Sequence, residues 1–175
     1  MTITKKDFKL IIPFILFLIF GIYGIYSVDF ISISQTMKTT FEWCTIPTII
    51  FALYYAYHSS FGYKTTIAMA IWRNTFTFIV MTIIIGMITF TSFQGILMLI
   101  NKNIGPQKEY LLSGKITKLK CPENKKIGNK YSIEIERKLE KDTIELNVPT
   151  NQYFEKQKFE KRMKIGSLNF IYSEE

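Results

Sequence analysis

The side chains that could hold a metal or move a proton are few: one histidine (His58), two cysteines (Cys44 and Cys121) and the carboxylates Glu134, Glu136, Glu140, Asp142 and Glu145 late in the chain. Acid–base catalysis needs two such groups within reach of one substrate and held in different environments. Glu134 and Glu136 alternate with Ile133 and Ile135, so in an extended strand both carboxylates point away from the core into water. They read as the outer face of a strand. His58 follows Tyr54, Tyr55 and Tyr57 with no carboxylate or second ligand beside it, and it reads as an interfacial polar residue. The cysteines form no Cys-x-x-Cys pair and no Cys/His set. One lies in an apolar run and the other in a polar tail, so no disulfide is expected. Phosphate-binding loops, dinucleotide turns, zinc-protease helices and nucleophile elbows are all missing from the sequence. The reading is a non-catalytic protein with no catalytic residues, no metal and no cofactor.

The elements explain what the composition is for. A mean hydropathy of +0.14 conceals a division, because residues 1–101 hold only six Lys or Arg and three acids, whereas residues 102–175 hold sixteen and eleven. The first part suits lipid and the second suits water. The net charge of +8 does not point to nucleic acid, since Glu134, Glu136, Glu140, Asp142 and Glu145 interleave with Arg137, Lys138 and Lys141 and leave no phosphate-tracking stripe. The basic surplus suits weak attraction to anionic lipid headgroups or an ordinary mixed surface.

Three uncharged runs predict three transmembrane helices, at about 10–28, 41–58 and 75–100. The last is 26 residues long, a helix of roughly 39 Å against roughly 30 Å of hydrocarbon. The first follows Lys5, Lys6 and Lys9, a pattern shared with signal peptides, though no Ala-x-Ala cleavage site follows it. Gly21, Gly24 and Ser27 recur every three residues, either as a face for close helix approach or as the ordinary glycine content of membrane helices. Phe30, Ile33, Met37 and Phe41 recur every three or four residues and predict a short interfacial helix over Val28 to Glu42. Trp43 at one end and Tyr54, Tyr55 and Tyr57 at the other mark the second span, with Pro47 in its first turns. Trp72 and Arg73 anchor the start of the third, where Thr82, Gly86 and Thr89 form a small, hydroxylated packing stripe and Gln94 is placed to bond a neighbouring helix. No ionisable residue interrupts any span, which argues against a coupled transporter, while a small oligomeric channel lined by backbone stays open.

After a linker at 102–108 the period changes from helical to alternating, and residues 109–175 predict a small β-rich domain. Tyr110, Leu112, Gly114 and Ile116 share one strand face; Tyr131, Ile133 and Ile135 share a second; Ile144, Leu146 and Val148 share a third, after a turn near Glu140 to Asp142. Cys121 to Asn129 reads as a loop. Thr150 to Lys164 is open between helix and strand, with a helical turn at Asn151 to Glu155 favoured before a strand from Phe159. Gly166 and Ser167 then turn the chain into Leu168, Phe170 and Tyr172 as a closing hairpin. The fold class expected is α+β: a three-helix transmembrane bundle followed by a small antiparallel β-domain, a barrel or curled sheet of about five strands that is marginal alone.

The spacing of Gly114, Lys115 and Ile116, Tyr131 to Ile133, Leu146 to Val148, Tyr153, Gly166 to Leu168 and Tyr172 resembles that of uncharacterised bacterial multi-span membrane proteins ending in a small β-domain. The resemblance covers about 60 residues and implies the architecture and a bacterial inner membrane, with no activity to carry over. Where such a pattern often has Gly-Asp before the closing hairpin, this chain has Gln157 and Lys158. The expected partners are the lipid bilayer and another envelope protein or a second copy, as for an immunity protein against an envelope-directed toxin; a channel or transport subunit is the alternative.

Sidedness follows from the short segments. With the amino terminus inside, Lys5, Lys6, Lys9, Lys64 and Arg73 are cytoplasmic and only Lys38 lies in the outer loop, which favours a cytoplasmic amino terminus and an extracytoplasmic β-domain. Cys121 is the one thiol of the polar tail, so a membrane-impermeant maleimide should label it in intact spheroplasts. Labelling only after lysis would reverse the orientation.

Overall fold

The computed structural model describes residues 5–61, 68–120, 131–137, 142–149 and 152–173. The chain is α+β, with three long helices and a closed six-strand antiparallel barrel. In order, these are α1 (Lys5–Tyr26), β1 (Phe30–Ser32), α2 (Ile33–Phe61), α3 (Ala68–Asn103), β2 (Lys108–Lys120), β3 (Tyr131–Arg137), β4 (Asp142–Val148), β5 (Lys158–Ile165) and β6 (Ile171–Ser173). By compactness the chain divides into one unit of Met1–Ile22 with Thr39–Gly95 and a second of Tyr23–Lys38 with Ile96–Glu175. The helix ends Tyr23–Lys38 and Ile96–Asn103 are grouped with the barrel.

The first unit is helical. Its interior is Ala52, Ala56 and Ile85, packed by Phe14, Tyr55, Phe78 and Met81. Phe14 stacks on Tyr55 at 4.9 Å, and Phe17 meets Phe93 edge-on at 5.0 Å. At Gly21 and Gly95 the backbones of α1 and α3 nearly touch: a Cβ on Gly95 would stand 1.8 Å from the Gly21 carbonyl oxygen. Only glycine permits that approach. Hydroxyls on these helices mostly return to their own backbone, as Thr82 Oγ1 donates to Phe78 O at 2.8 Å and Ser92 Oγ to Ile88 O at 2.9 Å. That removes a donor from an apolar surface without a tertiary partner. Among the described residues one helical segment, Ile71–Asn103, is long and apolar enough to cross a membrane, with a mean hydropathy of 2.1. Ile11–Tyr26 is a shorter apolar stretch.

The second unit is the barrel with the helix ends. Strand order is β1-β4-β3-β2-β5-β6, closed by β1 against β6. Alternation works as the sequence predicts: Leu112 and Ile116, Ile133 and Ile135, Ile144, Leu146 and Val148 all point inward and are buried. Phe30, Phe159, Met163 and Ile171 complete the core, so side chains fill the interior.

Several expectations fail here. No interfacial helix spans Val28 to Glu42, because Phe30, Ile31 and Ser32 form β1, paired to β4 (Ile31 with Asn147, Ser32 with Leu146) and to β6 (Ile31 with Tyr172). β1 has no polar face to reveal it, since Phe30 enters the barrel core while Ile31 packs with Val28, Met98 and Tyr172. The sheet has six strands, not five. α2 then starts at Ile33 rather than near Phe41, which puts Pro47 in the helix interior, not its first turns. α3 runs through Trp72 and Arg73 instead of beginning after them. Residues 152–155 hold no helix; Glu155 and Lys156 form a turn with Lys156 at φ 67°, and Asn151 lies outside the described residues. Cys121 to Asn129 and Glu140 also lie outside them.

Asn101, in the last turn of α3, is 1% exposed and holds the β5–β6 turn. Its Oδ1 accepts from Leu168 N at 2.9 Å and Phe170 N at 3.2 Å, and its Nδ2 donates to Phe170 O at 3.2 Å. Gly166 makes room, since a Cβ there would stand 2.0 Å from the Asn101 backbone oxygen. Other helix-end groups add to the staple: Gln35 Oε1 accepts from Ile171 N at 3.3 Å, Tyr172 Oη donates to Gln107 Oε1 at 2.8 Å, and Lys102 Nζ donates to Ser27 O at 2.9 Å. Asn101→Ala strips the Leu168 and Phe170 amides of their partner, while Phe170 O keeps the Gly166 amide, and each such orphan is worth about 1–3 kcal/mol. The purified variant should lose about 2 kcal/mol or more in denaturant titration and expose the Leu168 and Phe170 amides to exchange. Unchanged exchange at both would show that the asparagine holds nothing.

Candidate functional site

The carboxylates that sequence singles out are brought together only in part. Glu134 on β3 and Glu145 on β4 are directly opposed, a like-charge pair that is unfavourable by itself. Lys120 at the end of β2 resolves it, with Nζ 3.1 Å from Glu134 Oε1 and 3.0 Å from Glu145 Oε2. Lys118 adds an ion pair to Glu134 at 3.5 Å, and Ser132 Oγ donates to Glu145 Oε1 at 2.6 Å. The hydrogen bond from Lys120 holds the Glu134 carboxyl below its ordinary range, with the charges of Lys118 and Lys120 assisting. Hydrogen bonds to Glu145 and then Glu134 hold the Lys120 ammonium above its own. Both groups are thus fixed in their charged forms, the reverse of a proton shuttle poised near neutrality. Glu136 is exposed.

Asp142 has a different role. It forms a bidentate ion pair with Arg137 across the β3–β4 hairpin, and Arg137 Nη1 also donates to Tyr110 Oη at 2.9 Å. Arg137 is 8% exposed, so these bonds satisfy a nearly buried guanidinium and close one edge of the barrel core. Nothing in the sequence pattern marks that triad beyond Arg137 falling in phase with Ile133 and Ile135. Among the described residues no group of three or more His, Cys, Asp or Glu side chains could hold a metal ion, and Cys44 is a buried free thiol.

The packing and anchoring candidates divide in the same way. Gly21 meets Ser92 and Gly95 on α3, whereas Gly86 has ordinary space, 3.7 Å from a built Cβ to Ala52 Cβ. Gly24 is buried and its carbonyl accepts from Ser27 Oγ at 2.8 Å. Thr89 is fully buried with no partner for its hydroxyl, Thr82 bonds within its helix, and Gln94 is half-buried. Of the aromatic anchors, Trp43, Tyr54, Tyr57 and Trp72 are exposed and Arg73 is exposed beside Trp72, while Tyr55 turns inward onto Phe14. His58 contacts the Tyr54 ring at 4.7 Å. Ser92 and Gly95, the true partners of Gly21, carry no signal that sets them apart from the other small residues of α3.

β2 and β5 form the longest ladder of the barrel. Their outward residues pair as Glu109 with Lys164, Leu111 with Arg162, Ser113 with Glu160, and Lys115 with Lys158. An open depression of about 640 Å³ lies here, walled by Glu109 to Leu111, Arg162 to Lys164 and Ser173. It is open to solvent, with the Glu109 carboxylate on its β2 wall and Arg162 and Lys164 on its β5 wall.

Compared with known proteins, the chain matches no family model, no curated protein and no solved structure. The reading of function therefore rests on its own geometry.

Replacing Lys120 by methionine should raise the Glu134 titration toward the usual carboxylate range, followed through its side-chain carbon shifts. The depressed Glu134 contributes stability that is present above its unfolded value and lost as acid carries the pH down through the folded one. Lys120→Met should therefore remove part of the acid-side loss of stability; an identical pH profile would exclude the ladder as its source.

Proposed function

We propose that the chain is a three-span integral membrane protein of the bacterial inner membrane that holds a solid-cored β-barrel at one membrane surface as a non-catalytic protein-interaction module. One observation carries the reading: β1, from the α1–α2 connection, is a strand of the same barrel as β2 to β6, which follow α3. Two helices separate β1 from β2. If α3 crosses a bilayer, only a crossing by α2 as well returns β2 to the side of β1, because no strand pairs through hydrocarbon.

The helix surfaces support the same reading. Trp72 is 83% exposed, Ile46 72%, Phe76 69% and Met87 68%, and such faces are stable against lipid and aggregate in water. Only 17% of the most apolar window of α3 is buried within the protein. α1 has a shorter apolar stretch, Ile11–Tyr26, and α2 is less apolar than α3, diluted by Glu42, Pro47, His58 and several threonines and tyrosines; both pack against α3. The filled barrel interior leaves no lumen for a conduction path. The amino terminus is assigned to the cytoplasm and the barrel to the outer face from the five-to-one distribution of basic residues in the short segments. An immunity protein that shields its own membrane from a toxin is one concrete form of this function.

Alkaline carbonate should leave the full chain in the membrane pellet, and crosslinking of intact cells should trap an envelope protein on the barrel. Release by carbonate overturns the membrane reading. Failure to trap any protein overturns the interaction reading, and protection of cells expressing such a toxin would identify the immunity form.

A further inference from the structure

The polar residues on the outward faces of the helical unit lie closer together than an ordinary bilayer allows. α1 and α2 run antiparallel, with Phe14 stacked on Tyr55 at 4.9 Å and Phe17 against Phe51 at 5.4 Å. Counting back from Phe14 and on from Tyr55, that register sets Lys9 level with the turn of α2 that holds His58 and Ser59. Lys9 and His58 are both exposed. The His58 ring lies back along its helix against Tyr54, at 4.7 Å, so the imidazole sits deeper than its own backbone. Towards the other end of α2 the apolar run stops at Glu42, which is also exposed. The apolar runs Leu10 to Tyr26 and Trp43 to Tyr57 therefore give roughly 25 Å and roughly 22 Å at 1.5 Å per residue.

α3 is longer than its neighbours need. A Cβ on Gly86 would stand 3.7 Å from Ala52 Cβ, which sets Glu42 level with the turn at Gly95 and His58 level with that at Val80. The part of α3 that shares the slab, Val80 to Gly95, is again roughly 24 Å long. Past Gly95, Leu97 and Met98 are buried, Met98 in a cluster with Val28, Ile31 and Tyr172, so this stretch faces protein and not lipid. Before Val80, the exposed Phe76 and Trp72 flank Arg73, a mixture suited to headgroups. Hydrocarbon of ordinary thickness is roughly 30 Å. It would reach past Glu42 or His58, and polar side chains at that depth are costly.

We propose that the outward surface of the helical unit is a binding surface for phospholipids with short acyl chains, which it gathers from the surrounding bilayer. A hydrocarbon layer of roughly 22–25 Å lets Glu42 and His58 reach headgroups on opposite faces, and Trp43 and Tyr57 then stand at the two interfaces. A thicker bilayer must compress around the protein, at a cost that grows with each ångström of mismatch. The inference rests on the membrane-spanning reading above and adds to it the class of lipid.

The chain carries its own reporters, since its two tryptophans, Trp43 and Trp72, both face outward. The full chain is reconstituted in phosphatidylcholine with brominated chains, which quench tryptophan, and unbrominated lipids with monounsaturated chains of fourteen to twenty-two carbons compete for its surface. Fourteen-carbon chains should relieve quenching about fivefold better than twenty-two-carbon chains. The double variant Glu42→Leu with His58→Leu lengthens the apolar surface of α2 and should move the preferred length up by about two to four carbons. Equal competition by all lengths, a native preference for eighteen carbons or more, or the same preference in the double variant would each overturn the proposal. Should the double variant not fold, the ranking of lengths by the native chain decides. Flotation with vesicles of every length but no preference among them excludes the thin layer and leaves the membrane reading standing, whereas failure to float with any overturns both.

Discussion

Asn101 holds the β5–β6 turn by its side chain, and the closure of the barrel depends on that grip. β6 is three residues long and, among the described residues, is the one bridge between β5 and β1. A strand so short cannot hold two neighbours by its own ladder, which has two paired positions on each side. What fixes it is the polar capping supplied at the helix ends: Asn101 within the last turn of α3, Gln107 after it, and Gln35 at the start of α2. Each of these side chains satisfies backbone or hydroxyl groups that would otherwise be buried without partners. The small β-domain is marginal by size, and the helix ends make up the difference.

The same constraint links fold to topology. A barrel whose first strand precedes two long helices and whose other five follow them can close only if the chain returns to the side it left. An independent domain hung on a linker would impose no such parity. β1 enters the barrel directly between the ends of α1 and α2, and Lys102 ties the end of α3 to the Ser27 carbonyl. The connections between the helices and the strands they adjoin, α1–β1, β1–α2 and α3–β2, are at most four residues long.

Much of this was legible in the sequence. The alternation of Ile133, Ile135, Ile144, Leu146 and Val148 with polar residues belongs to strands with one wet face, and those strands are where it places them. β1 carries no such alternation, because a strand buried on both faces looks like any apolar run, and Phe30, Ile33, Met37 and Phe41 imitate a helical stripe. Helix starts were misplaced for a related reason: hydropathy reports solvent, and the helices extend past the apolar stretches at Ile33 and Ala68. Asn101 read as the polar end of a span, since its partners at Leu168 and Phe170 are far along the chain and no local period encodes them. Likewise Gly21 stood out by spacing, while its contact with Gly95 is set by how two helices cross.

Charge is distributed over the barrel largely in matched sets. On β3 and β4 the acids are matched by Lys118 and Lys120, so that face is neutralised from within. Arg137, the one nearly buried cation among the described residues, is satisfied by Asp142 and Tyr110. On β5 Glu160 pairs with Lys158, Lys164 lies opposite Glu109 on β2, and the Lys161 ammonium lies over the Phe30 ring, so most of its charges too are engaged within the barrel.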